Sequence, residues 1–96
     1  MKRVTWTRTE NNRSVAIYFK SPEGRKSASH PDVLRISERF GKPVSAVTWK
    51  QGQVEAIAGL KKGAYNVQKE TINAVERYAN KHNRRDIRTR VQKFVG

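Results

Sequence analysis

Apolar and polar positions change period near residue 30, and before it the chain alternates. In residues 3–8, Val4 and Trp6 fall on one side of an extended backbone and Arg3, Thr5 and Thr7 on the other. Glu10-Asn11-Asn12-Arg13 reads as a turn. Residues 14–20 are rich in β-branched and aromatic side chains and put Val15, Ile17 and Phe19 on one face. Ser21-Pro22-Glu23-Gly24 is turn chemistry, because Pro presets the second turn position and Gly relieves a later φ. A short third strand over 25–29 completes an N-terminal antiparallel β-hairpin or three-stranded meander.

After His30-Pro31 the period becomes helical. Asp32 is placed to cap a helix beginning at Val33, with Val33, Ile36 and Phe40 as its apolar stripe. Gly41 stops that helix and Pro43 forbids simple continuation. Residues 44–49 satisfy both the helical and the extended period, so helix and strand both stay open there. Gly52 separates them from a helical piece over 54–60, and residues 61–64 read as a loop. Asn66 can cap a helix running to about Lys81, with Thr71, Val75, Tyr78, Ala79 and His82 on one face. Asn83 can cap a last helix with Asp86 in its first turn, where the macrodipole favours an anion, and with Ile87, Val91, Phe94 and Val95 as its stripe. The expected fold class is α+β: the hairpin or meander, then three to four short helices, in a single domain over residues 1–96.

Charge changes this picture most. Twenty-one Lys and Arg oppose eight Asp and Glu, a formal charge of +13 on 96 residues. Such an excess repels itself unless something anionic sits on it, and a phosphate backbone is the partner most often responsible. Counterion release can then supply most of the binding free energy without reading any sequence. The cations are interleaved with Val, Ile, Tyr, Phe and Trp along the whole chain, unlike those of a disordered arm, and are expected to decorate a folded surface. The absence of cysteine excludes disulfides, thiolate metal sites and a cysteine nucleophile. No apolar run approaches transmembrane length, so the expectation is a soluble cytoplasmic protein, nucleoid-associated if bacterial, with no membrane partner.

Residues 33–50, VLRISERFGKPVSAVTWK, carry a small residue in a helix (Ser37), a glycine at a turn (Gly41) and an aliphatic residue beyond it (Val47). This stretch resembles the helix-turn-helix of phage-repressor and lac-repressor type regulators, although Lys42-Pro43 replaces the usual aliphatic–polar pair and Ser37 stands where Ala is commoner. On that resemblance Lys42, Ser45, Thr48 and Lys50 approach base edges. A second stretch, YNVQKETINAVERYANKHN, is similar to the third-helix region of lac-repressor type domains at Val67, Thr71, Val75, Ala79 and Asn83. In that register the recognition helix would be residues 54–60, so the two alignments exclude each other.

Guanidinium groups grip phosphate bidentately and stay charged, which assigns phosphate contacts to Arg84, Arg85, Arg88 and Arg90, joined by Lys61 and Lys62. Arg8 and Arg13 would act from the hairpin. Trp6 or Tyr18 could instead stack on unpaired bases. Enzyme readings find little support: His30 and His82 are the only histidines, nothing brings them together, and no carboxylate spacing suggests a metal pair. No catalytic residue, metal or cofactor is expected. The reading is a duplex DNA-binding protein, a transcriptional regulator or mobile-element accessory factor acting as a homodimer or in several copies. The alternatives are an RNA or single-strand binder, and a basic protein for an acidic protein partner.

Overall fold

A capping box decides the N-terminal third. In the computed structural model, which describes residues 5–20, 24–59 and 67–96, the Thr7 N–H donates to Glu10 Oε1 (2.8 Å) and the Glu10 N–H to Thr7 Oγ1 (3.2 Å). Two orphan donors are thereby satisfied, and helix α1 runs Arg8–Phe19. The expected hairpin is corrected accordingly. Residues 10–19, read as turn and strand, are helical; residues 25–29 form bends and turns; and no strand occurs among the described residues. The fold is all-α, not α+β. Arg3, Val4 and residues 21–23 lie outside the described residues.

The buried face of α1 explains why hydropathy hides it. Glu10, Asn11, Ser14, Val15 and Ile17 fall at helical spacing, but three of them are polar.

Helix α2, Pro31–Phe40, begins with Pro at its first position, and its cap is His30 rather than Asp32: His30 Nδ1 accepts from the Asp32 N–H (3.1 Å). Gly41 ends it in the left-handed conformation (φ 62°, ψ 34°), and the Lys42 N–H bonds back to the Ser37 carbonyl (3.0 Å). Helix α3, Val44–Ala58, is continuous through Gly52, so no separate piece starts at residue 54. A glycine inside a helix costs about 1 kcal/mol relative to Ala. Packing outweighs it here, because α3 touches every other helix.

Helix α4 spans Lys69–Lys81 behind Gln68, and α5 spans Arg85–Val95. Asn83 takes a positive φ of 53° between them, and the Arg84 N–H bonds to the Ala79 carbonyl (2.8 Å). Asn83 therefore closes α4 and does not cap α5.

The two ends of α3 serve two apolar clusters. Val47 packs with Ile17, Val33 and Ile36, against Trp6, Phe40 and Val44. Val54 and Ile57 pack with Val15, Ala74, Val75, Ala79, Ile87 and Val91. Between the clusters α3 buries a polar belt, Lys50, Gln51 and Gln53, all fully inaccessible. Gln51 Nε2 donates to the Ser14 carbonyl (2.8 Å) and hydroxyl (3.1 Å) of α1. Gln53 Oε1 accepts from Thr71 Oγ1 (2.7 Å) and the Gln68 N–H (3.1 Å) at the start of α4. The belt thus pins α3 to both neighbours by directional bonds, each worth about 1 kcal/mol net. No helix among the described residues is long and apolar enough to cross a membrane.

Candidate nucleic-acid interface

A cation can serve an anionic partner only if the protein has not already engaged it. Several of the sequence-assigned contacts are engaged. Lys50 is fully buried, its ammonium donating to Gln68 Oε1 and Thr71 Oγ1 (2.9 Å each) and lying 5.1 Å from the Trp6 ring centroid. Burial pulls its pKa down to about 8, with Glu70 opposing. No base edge can reach it, which corrects its assignment to base readout.

Lys42 pairs with Glu10 (3.3 Å), and its ammonium sits 5.6 Å from the Trp6 ring centroid. Burial pushes the Glu10 carboxyl up, but the Thr7 N–H and the Lys42 ammonium outweigh it and leave its pKa below the ordinary value. Trp6 is therefore half-buried against two ammonium groups, and Tyr18 is half-buried on Phe19 (ring centroids 4.9 Å); neither is an open stacking platform. Lys26, too, is buried, its ammonium on the carbonyls of Tyr18 and Gly24. The excess positive charge is not wholly a surface decoration.

The C-terminal arginines are similarly divided. Arg84 forms a two-point contact with Asp86 (3.1 and 2.9 Å), whose carboxyl this contact draws down to about 2. Arg90 donates to the Ala58 carbonyl at the end of α3. Arg88 is half-buried with its Nε enclosed and unbonded, while Arg85 is exposed. Lys61 and Lys62 lie outside the described residues. Ser45 is exposed and Thr48 half-buried, its hydroxyl donating to the Ser45 carbonyl (3.0 Å). Arg8 and Arg13 are exposed, but on a helix and not on a hairpin.

Among the described residues, Arg13 opens a place where cations converge. A cleft of about 500 Å³ lies between α1, α2 and α4. From α1 it takes Arg13, Ala16, Ile17 and Lys20, and from α2 Asp32, Arg35, Ile36 and Arg39. Each set follows the i, i+3, i+4, i+7 spacing of one helix face; the α1 set is charged at both ends and apolar at its centre, and the α2 set is charged except at Ile36. Tyr78 and His82 supply the α4 wall. Four cationic side chains thus face a single carboxylate. That carboxylate, Asp32, already accepts from Lys20 (3.3 Å) and Arg35 (3.1 Å). Among the described residues Arg13 and Arg39 have no ion pair or hydrogen bond within the protein.

A smaller pocket adjoins the cleft through Ala16, Tyr78 and His82 and is lined by Asn12, Arg77 and Lys81. Arg77 donates twice to Asn12 Oδ1 (3.1 and 2.9 Å), and its pKa is lowered by burial and by the like charge of Arg8. A row of aromatic rings leads from the core into the cleft. Phe19 stacks on Tyr78 (centroids 5.0 Å), and Tyr78 on His82 (4.3 Å).

Sequence reasoning missed Arg39, Arg35, Lys20 and His82 as site residues. The signal was the pair of eight-residue stripes, 13–20 and 32–39, but the first is visible only once residues 8–19 are known to be helical. No cluster of His, Asp and Glu among the described residues is placed to hold a metal ion. The chain matches no protein-family model, no curated protein and no solved structure.

Proposed function

We propose that this protein binds nucleic acid, holding the sugar–phosphate backbone at the cleft between α1, α2 and α4. The observation that carries the reading is the charge imbalance there: Arg13 and Arg39 stand unpaired beside an Asp32 already engaged by two other cations. Guanidinium groups held apart from internal partners lose little on meeting phosphate, and each contact formed releases counterions. The like-charge crowding of Arg8 on Arg77 extends the same field along α1 and α4. Such a partner goes with a cytoplasmic setting, on the nucleoid if the source is bacterial.

A second reading keeps the α2–Gly41–α3 connection as a groove-reading device for duplex DNA, as a regulator or mobile-element factor would use it. The exposed Ser45 and Trp49 at the start of α3 favour it. Against it, the two lysines that would steer this helix onto DNA are held by Glu10 and by the core. Fluorescence anisotropy on labelled polynucleotides across a salt series separates the readings. Backbone binding at the cleft gives a steep salt slope that Arg13→Ala and Arg39→Ala each flatten, with all sequences weakened alike. Groove reading by α3 gives sequence preference that Ser45→Ala relaxes.

A further inference from the structure

We propose that the cleft takes one unpaired nucleotide of a strand, its base stacked on the His82 imidazole and its flanking phosphates held by Arg13 and Arg39. This rests on the nucleic-acid reading above and narrows it to strands with unpaired bases. The apolar floor is the first reason. Ile17 and Ile36 lie beneath the cationic rim. A duplex offers phosphates on a convex ridge with its bases turned inward, and would leave that floor uncovered. An anion with a flat apolar ring below its charge covers it. At about 500 Å³ the cleft also falls within the range of about 300–1,000 Å³ typical of pockets that enclose small ligands.

The aromatic wall is the second reason. His82 is exposed, and its ring is braced from behind by Tyr78, which rests in turn on Phe19. A ring held by an inner stack loses little freedom when a base is laid against it. Stacking of this kind tolerates any base, because each has a π-face. Specificity for sequence is therefore not expected at this pocket.

The test uses the full chain and three labelled probes at one salt concentration: a single strand of about 12 nucleotides, a strand of equal length carrying only abasic sites, and a blunt duplex. The single strand should bind tightest, with the abasic strand weaker by about 5- to 100-fold. His82→Ala should bring the single strand down to the abasic level and leave the abasic affinity unchanged. Ala16→Phe, which fills the cleft from α1, should do the same while circular dichroism shows the helices intact. Equal binding of the strand with and without bases, tighter binding of the duplex, or a base effect that survives both variants overturns the pocket and leaves phosphate binding standing. Failure of all three probes to bind, with capture of polyglutamate instead, overturns the nucleic-acid reading itself.

Discussion

The polar belt of α3 and the cleft between α1, α2 and α4 are both rich in polar and cationic groups, yet they use them oppositely. In the belt, Lys50, Gln51 and Gln53 are inaccessible, and their hydrogen bonds run to Ser14, Gln68 and Thr71. In the cleft, Arg13 and Arg39 reach solvent with no partner among the described residues. A desolvated ammonium gains stability from fixed acceptors and cannot be lent to a ligand. A solvated guanidinium adds little to folding and keeps its full charge for one. The charge of +13 thus includes two unlike populations, and of these only the second is free to meet an anion.

The largest effect expected from breaking this contrast is at Lys50. Lys50→Ala should destabilise the fold by about 2–4 kcal/mol in chemical denaturation, since it opens a cavity and strands the acceptors on Gln68 and Thr71. Lys50→Met, of similar shape and no charge, fills the space but strands the same two acceptors, and should cost less than Lys50→Ala, about 1–3 kcal/mol. The sign of the pH effect follows from burial. With the folded pKa near 8 and the ordinary value at 10.5, the unfolded chain binds more protons between them. Stability should therefore rise with pH across that window in the wild type, and rise less in Lys50→Met.

Next in size is the cleft. Arg13→Ala with Arg39→Ala should lower affinity for polyanions by roughly tenfold or more at low salt, while the denaturation midpoint moves by no more than about 0.5 kcal/mol equivalent. Lys42→Ala should do the reverse. It leaves Glu10 without its ammonium and should cost about 1 kcal/mol, with cleft binding unchanged. Because Glu10 titrates below its ordinary value of 4.5, its contribution is present above that pH and lost as pH falls through the lowered pKa; removing Lys42 should shrink that acid-side loss. The smallest effects should come from Ser45→Ala and Thr48→Ala, within about 0.5 kcal/mol in stability and without change in affinity. A shift in sequence preference among duplexes would instead return the start of α3 to a reading role.

Much of the C-terminal half could be read from sequence. Thr71, Val75 and Ala79, and Ile87 and Val91, are buried stripes at helical spacing, and Gly41 turns the chain where a left-handed residue is needed. The N-terminal half could not be read by the same rule, because α1 buries Glu10, Asn11 and Ser14 beside Val15 and Ile17. Its strand-like run of Val, Ile, Tyr and Phe won over the Thr7–Glu10 capping box, which was the one local sign of a helix. The sequence pattern also places a break at Gly52, inside the continuous α3, for a related reason. Beyond Ser45 and Trp49 near its start, α3 is largely covered and has little solvent face to set its period, and part of its interior is polar. With α1 misread as a strand, Arg13 and Lys20 could not be seen on one face, and the cleft stayed hidden.

The central claim is that the anionic partner sits in the cleft, and the salt dependence of single-strand binding tests it most directly. Comparing the wild type with the Arg13→Ala, Arg39→Ala double variant, the slope of log affinity against log salt should become shallower by about 1.4, or about 0.7 per lost phosphate contact. An unchanged slope and affinity would contradict the account and place the partner elsewhere on the molecule.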